Sequence, residues 1–121
     1  MAKRILPLVL ILFLAGCLSP VVPPKPSAQF TITSWEQNHY EYFDEYGYVY
    51  VYFNIANTGS VEISYYQVYI QARCADGSIY QDWTNGSHVA PGHTLSNWTL
   101  FSTAGKRVVS VAITAYELWG D

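Results

Sequence analysis

From residue 48 onward the chain alternates. In VYVYFNIANTG, Val49, Val51, Phe53 and Ile55 fall on one side, while Tyr48, Tyr50, Tyr52 and Asn54 fall on the other. Successive side chains of a pleated strand point to opposite faces, so this period of two marks a strand with one face in a core and one in solvent. YQVYIQARCADGS repeats the pattern, with Tyr66, Val68, Ile70, Ala72 and Cys74 inward and Gln67, Tyr69, Gln71 and Arg73 outward. In RVVSVAITAYEL, Val109, Val111, Ile113 and Ala115 share a side. Shorter strands are expected at 30–35, in SIYQDW, at 88–90 and at 95–101. Asn57-Thr58-Gly59 joins the first two strands as neighbours, and Asp76-Gly77 turns the second back. No apolar pattern at helical spacing is sustained. About seven short strands punctuated by turns predict an all-β protein, an antiparallel β-sandwich.

The first residues obey a different rule. Lys3 and Arg4 precede an apolar run from Ile5 to Phe13, and the small residues Ala15 and Gly16 follow. A basic start, a short apolar stretch and a small-residue cleavage site make residues 1–16 a secretory signal peptide. The run is shorter than the ~18–20 residues that span a bilayer as a helix, and Pro7 interrupts it. Leu14-Ala15-Gly16-Cys17 resembles the lipobox of prokaryotic lipoproteins. The resemblance implies cleavage before Cys17 and a diacylglyceryl group on its thiol, which makes Cys17 a membrane anchor. Two or more acyl chains hold a protein on a membrane stably, at ~0.8 kcal/mol per buried CH2. The expected address is extracytoplasmic, on the cell membrane or outer membrane. Leu18, in place of the aspartate that resembles an inner-membrane retention signal, favours the outer membrane in a two-membrane bacterium.

Residues 17–28 hold Pro20, Pro23, Pro24 and Pro26, which favour extended polyproline II and resist packing. They read as a tether, leaving 29–121 as one small domain. Without Lys3 and Arg4, four basic residues face nine acidic ones, a net charge near −5. That balance excludes nucleic acid as a natural partner, since the phosphate backbone rewards Lys and Arg. With Cys17 spent on lipid, Cys74 has no partner for a disulfide and reads as a small buried hydrophobe.

The turn punctuation is informative in another way. VYFNIANTGS, VYIQARCADGS and VAPGHT resemble the N-T-G, D-G and P-G-x-T turns of immunoglobulin-like accessory domains on prokaryotic surface proteins, of which FxLYD and CARDB are examples. The F-x-L-Y-D signature itself is absent. The resemblance implies an immunoglobulin-like sandwich without catalytic residues.

Candidate chemistry centres on tyrosine. Tyr48, Tyr50 and Tyr52 point outward from one strand, Tyr69 outward from the strand expected beside it, and EQNHYEYFDEYG adds Tyr42 and Tyr46 among Glu41, Asp44 and Glu45. Aromatics on a sheet face pair across strands and favour strand structure for that reason alone. Tyrosine also supplies wide contact area with a polar tip, so the same residues form a candidate binding surface. Both readings stand at this stage. The function expected is a non-catalytic protein-interaction module of the cell envelope; the alternative is a carbohydrate-binding module using the tyrosine face. No cofactor or metal is expected. His88 and His93 flank Pro91-Gly92 without a third ligand at a diagnostic spacing, and the 41–45 loop lacks the calcium-ligand pattern. No catalytic motif is present. Asn85-Gly86-Ser87 and Asn97-Trp98-Thr99 match the glycosylation triplet, which matters only in a host that glycosylates exported proteins. Intact mass of the membrane-extracted protein tests the anchor: the mature chain is expected to begin at Cys17 with acyl groups attached, and an unmodified Cys17 refutes it.

Overall fold

A computed structural model describes residues 24–120. The signal peptide, Cys17 and most of the tether lie outside the described residues. Six strands follow in order: β1 (Ala28–Tyr40), β2 (Glu45–Asn57), β3 (Ile63–Cys74), β4 (Ile79–Val89), β5 (Thr94–Phe101) and β6 (Val108–Gly120). They form two three-stranded sheets, β1-β2-β5 and β4-β3-β6, and every pairing is antiparallel. The protein is an all-β sandwich. The second strand pairs with the fifth and the third with the sixth, so the central strand of each sheet has a partner distant in the chain.

The inward stripes of the two central strands build the core. Val49, Val51, Phe53 and Ile55 of β2 are fully buried, as are Val68, Ile70 and Ala72 of β3. Each larger side chain contributes about 1.5–3 kcal/mol by leaving water. Cys74 is free and buried, and burial pushes its thiol pKa up, with Asp76 adding to the shift.

Four details depart from the sequence reading. SIYQDW and residues 88–90 are not two strands but the ends of one, β4, which makes six strands instead of seven. Gly86, midway along it, is a packing device. A Cβ there would sit 2.5 Å from the Tyr66 hydroxyl, so only glycine lets that buried phenol lie against β4.

Second, β2 and β3 are not sheet neighbours. The 57–62 connection carries the chain from one sheet to the other, and Tyr69 therefore lies on the face opposite Tyr48.

Third, two bulges reset the phase of β6. Ser110 and Val108 pair with the adjacent Arg73 and Cys74, leaving Val109 over; Ala115 and Ile113 pair with Tyr69 and Ile70, leaving Thr114 over. A bulge shifts side chains beyond it to the other face. Val108, Val111, Ile113 and Leu118 are thus the residues that pack on the core, while Val109 and Ala115 are exposed.

Fourth, the strand expected at 30–35 runs from Ala28 to Tyr40, so Tyr40 and Tyr46 stand on strands flanking a short turn at 41–44. That turn closes with Phe43 N–H donating to Tyr40 O at 3.1 Å and Asp44 N–H to Glu41 O at 3.2 Å.

Two side-chain amides, Asn57 buried and Gln37 half-buried, pin the ends of the sandwich. Asn57, 3% exposed, donates to the carbonyls of Val61 and Val89, each at 2.8 Å, and its side-chain oxygen accepts from Gly59 N–H at 2.9 Å. Its backbone joins the 90–93 turn, donating to His93 O and accepting from Gly92 N–H. At the far end Gln37 donates to Gly47 O, Lys106 O and the Thr103 hydroxyl, and accepts from Val108 N–H at 2.8 Å. The β3–β4 hairpin is held differently. Asp76 accepts from Ser78 N–H at 2.9 Å and pairs with Lys106 at 3.1 Å. The Ser78 backbone and hydroxyl first, and Lys106 next, hold the Asp76 carboxyl at about 2.

Asn57→Ala leaves two carbonyls and an N–H without this partner, and chemical denaturation should show a loss of about 2–4 kcal/mol. Because the folded state lowers the Asp76 pKa from 3.8 to about 2, its stabilisation is present above the unfolded value and disappears as pH falls through about 2. Asp76→Asn should therefore lower the melting temperature at pH 7, with the gap to wild type closing between pH 4 and pH 2.

Candidate functional site

The outer face of β1-β2-β5 is built around the tyrosines that β2 turns away from the core. Register places Trp98 opposite Tyr52 and Leu100 opposite Tyr50 on the β5 side, with Ser34 and Glu36 opposite the same two tyrosines on the β1 side. Tyr48, Tyr50, Tyr52 and Trp98 thereby share one sheet face as an aromatic band. Tyr48 is 52% exposed and Trp98 53%. Tyr52 donates its hydroxyl to Glu36 at 3.1 Å, and that carboxylate raises the phenol pKa above its ordinary value, with lesser contributions from burial.

The band continues into a groove of about 410 Å³ lined by Tyr40, Glu45, Tyr46, Tyr48, Tyr50 and Gly105. The Tyr46 ring stacks on His39 at 4.3 Å with 19° between planes. His39 Nε2 lies 3.5 Å from the Asp44 carboxylate, which ties this stack to the 41–44 turn. Beyond the groove, Tyr42 and Phe43 occupy the tip of the turn at 92% and 70% exposure, packed edge to face at 5.1 Å. Two large aromatics this exposed have no packing role in the sandwich. Acidic side chains border the whole region: Glu36, Glu41, Asp44 and Glu45.

The site lies away from where the chain enters the domain. Ser27 bonds Thr58 through both hydroxyls at 2.8 Å and through its carbonyl at 3.0 Å, beside the Asn57 end of β2. The 13 residues of β2 separate that end from the tip by about 40 Å at the strand rise of ~3.3 Å per residue.

Of the six tyrosines expected to form a binding surface, the structure joins Tyr48, Tyr50 and Tyr52 on one face, with Tyr46 at its end and Tyr42 at the tip. Tyr69 is on the other face, opposite Trp83 on β4. Sequence reasoning missed Trp98 as a member of the band. Its signal was the alternation of β5, usable only once β5 was known to pair with β2.

The other sequence candidates resolve simply. Among the described residues no group of three or more His, Cys, Asp or Glu side chains is placed to hold a metal ion. His88 approaches Glu62 at 3.7 Å. The Asn97 amide donates to the Tyr66 hydroxyl at 2.9 Å and to Asn85 O, so it is tied into the sandwich edge.

No family model matches the chain, and no similar protein was found among curated proteins or solved structures. The chemistry this site offers is contact: flat rings, hydroxyl tips and a carboxylate border.

Proposed function

We propose that this protein is a lipid-anchored, extracytoplasmic interaction module of the cell envelope that binds a protein partner through its acidic tyrosine face. The carrying observation is the aromatic band from Trp98 through Tyr52, Tyr50 and Tyr48 to the exposed Tyr42–Phe43 tip. An aromatic surface of this extent is uncommon on a monomer and marks a contact site. Tyrosine and tryptophan bring large area at low entropic cost, which is why they dominate the energetic centres of protein interfaces.

Charge narrows the partner. Glu36, Glu41, Asp44 and Glu45 edge the band, so a complementary surface carries Lys or Arg. Cation–π contact with the rings adds to that preference. Placement supports the same reading. The tether enters at the opposite end, so Cys17 anchoring leaves the tip and groove pointing away from the lipid surface. A carbohydrate ligand on this face is less favoured, because the carboxylate border rewards a cation.

Tyr50→Ser with Tyr52→Ser tests the assignment in the native envelope. The double variant should keep its melting temperature within a few degrees and lose at least about tenfold of its cross-linked partner on intact cells. Raised salt should weaken the wild-type contact, since charges at a rim are screened. Undiminished cross-linking by a folded double variant refutes the proposal, and a large fall in stability assigns these tyrosines to the fold.

A further inference from the structure

The opposite face of the sandwich has a different chemistry. On β4-β3-β6 the outward positions align in rows set by register: Ser87, Tyr65 and Trp119; Asn85, Gln67 and Glu117; Trp83, Tyr69 and Ala115; Gln81, Gln71 and Ala112. Aromatic rows alternate with amide rows. From the Tyr65 row to the Gln71 row, Glu117 is the only charged side chain among these positions. Trp83 is 48% exposed and Trp119 45%.

The face is rigid in a way the tyrosine face is not. The Tyr65 hydroxyl accepts from Gln67 Nε2 and from Asn85 Nδ2, each at 3.1 Å, and Tyr69 donates its hydroxyl to Gln67 Oε1 at 3.1 Å. Tyr65 also packs on Trp119 at 5.1 Å. A hydrogen-bonded ladder down the middle strand thus holds both phenols in place before any ligand arrives, which lowers the cost of binding. One row further, Gln71 and Gln81 face each other across β3 and β4, and among the described residues neither amide is hydrogen-bonded. Ala112 and Ala115, which stand opposite Gln71 and Tyr69 on the β6 side, are too small to cover them.

We infer that this face is a second binding site, for a neutral glycan chain of the cell surface. Three requirements of such a ligand are met together. Its apolar C–H faces stack on rings, here Trp83, Tyr69 and the Tyr65–Trp119 pair, spread over about 13 Å of strand at ~3.3 Å per residue. Its hydroxyls need groups that both donate and accept, which the free amides of Gln71 and Gln81 do. Its lack of charge matches a face where amides stand in place of the carboxylates that border the tyrosines. An uncharged chain gains nothing from a Lys or Arg and pays no repulsion here. The site does not depend on the protein-binding reading of the other face, and the two lie back to back, so one domain engages a glycan and a protein at once.

Native electrophoresis of the mature full chain in non-ionic detergent tests this, in gels cast with hydroxyethyl cellulose, galactomannan, mixed-linkage β-glucan or glycol chitin. At least one of these polysaccharides should retard the wild type. Trp83→Ala should weaken that retardation about tenfold, Trp83→Phe should retain most of it, and Tyr50→Ser should leave it intact. Should Trp83→Ala fail to fold by its melting curve, Gln71→Ala with Gln81→Ala provides the same comparison. The inference is overturned if none of the four gels retards the wild type, if the folded site variants migrate as the wild type does, or if a folded Tyr50→Ser variant loses the effect.

Discussion

One amide decides the architecture. At Asn57 the chain has completed the inward stripe of β2 and must leave its sheet for the other, with Asn57 itself and the Val89 end of β4 buried. An unpaired buried carbonyl or N–H costs about 1–3 kcal/mol. Asn57 answers for several at once: the carbonyls of Val61 and Val89 and the N–H of Gly59 through its side chain, and the 90–93 turn through its backbone. An aspartate would lack the donors and a leucine would lack everything. Because the crossing is secured there, β3 starts in the second sheet with Ile63 already in the core. Gln37 does comparable work at the far end, where Thr103, Lys106 and Val108 bring β6 back toward β1 and β2.

Placing the two central strands in different sheets has a consequence for function. Had β2 and β3 been paired, their outward tyrosines would form one face. Instead their inward stripes pack face to face and their outward stripes are separated by the thickness of the sandwich. The aromatic surplus of this chain is divided into two surfaces with unlike borders, one acidic, one almost uncharged and rich in amides. Their rings also differ in freedom. Tyr52 is held by a single exposed bond to Glu36, whereas Tyr65 and Tyr69 are locked into a ladder through Gln67. A partner with its own flexible basic side chains suits the first; a rigid repeating chain suits the second.

The inward residues of β2 and β3 were legible because both strands are central and paired on both sides, which enforces strict alternation. Edge strands answer to fewer neighbours. β6 absorbs two bulges within its length and β1 one, at Thr33, while those of β2 and β3 fall at 47–48 and Ser64, outside their alternating stretches. Each bulge changes which residues face the core without leaving any mark in residue type. Gly86 carries no legible mark for a related reason: it stands in mid-strand because Tyr66 needs the space, not because the backbone needs a left-handed angle. The tyrosines of the candidate site were found individually. Their grouping was not, since Trp98 joins them and Tyr69 leaves them only through strand pairing between residues far apart in the chain.

The amino-acid order alone settled the local matters: an all-β class, the stripes of the two central strands, the Asp76-Gly77 hairpin, and outward rings on β2. These follow from the period-two geometry of a strand and the backbone demands of a tight turn, both of which act within a few residues. Which strands became neighbours, and so which rings share a face and which carboxylates or amides stand around them, was decided only by tertiary structure. That choice depends on where a buried amide can satisfy a crossing backbone, a requirement met jointly by Asn57, Val61 and Val89 and carried by none of them alone.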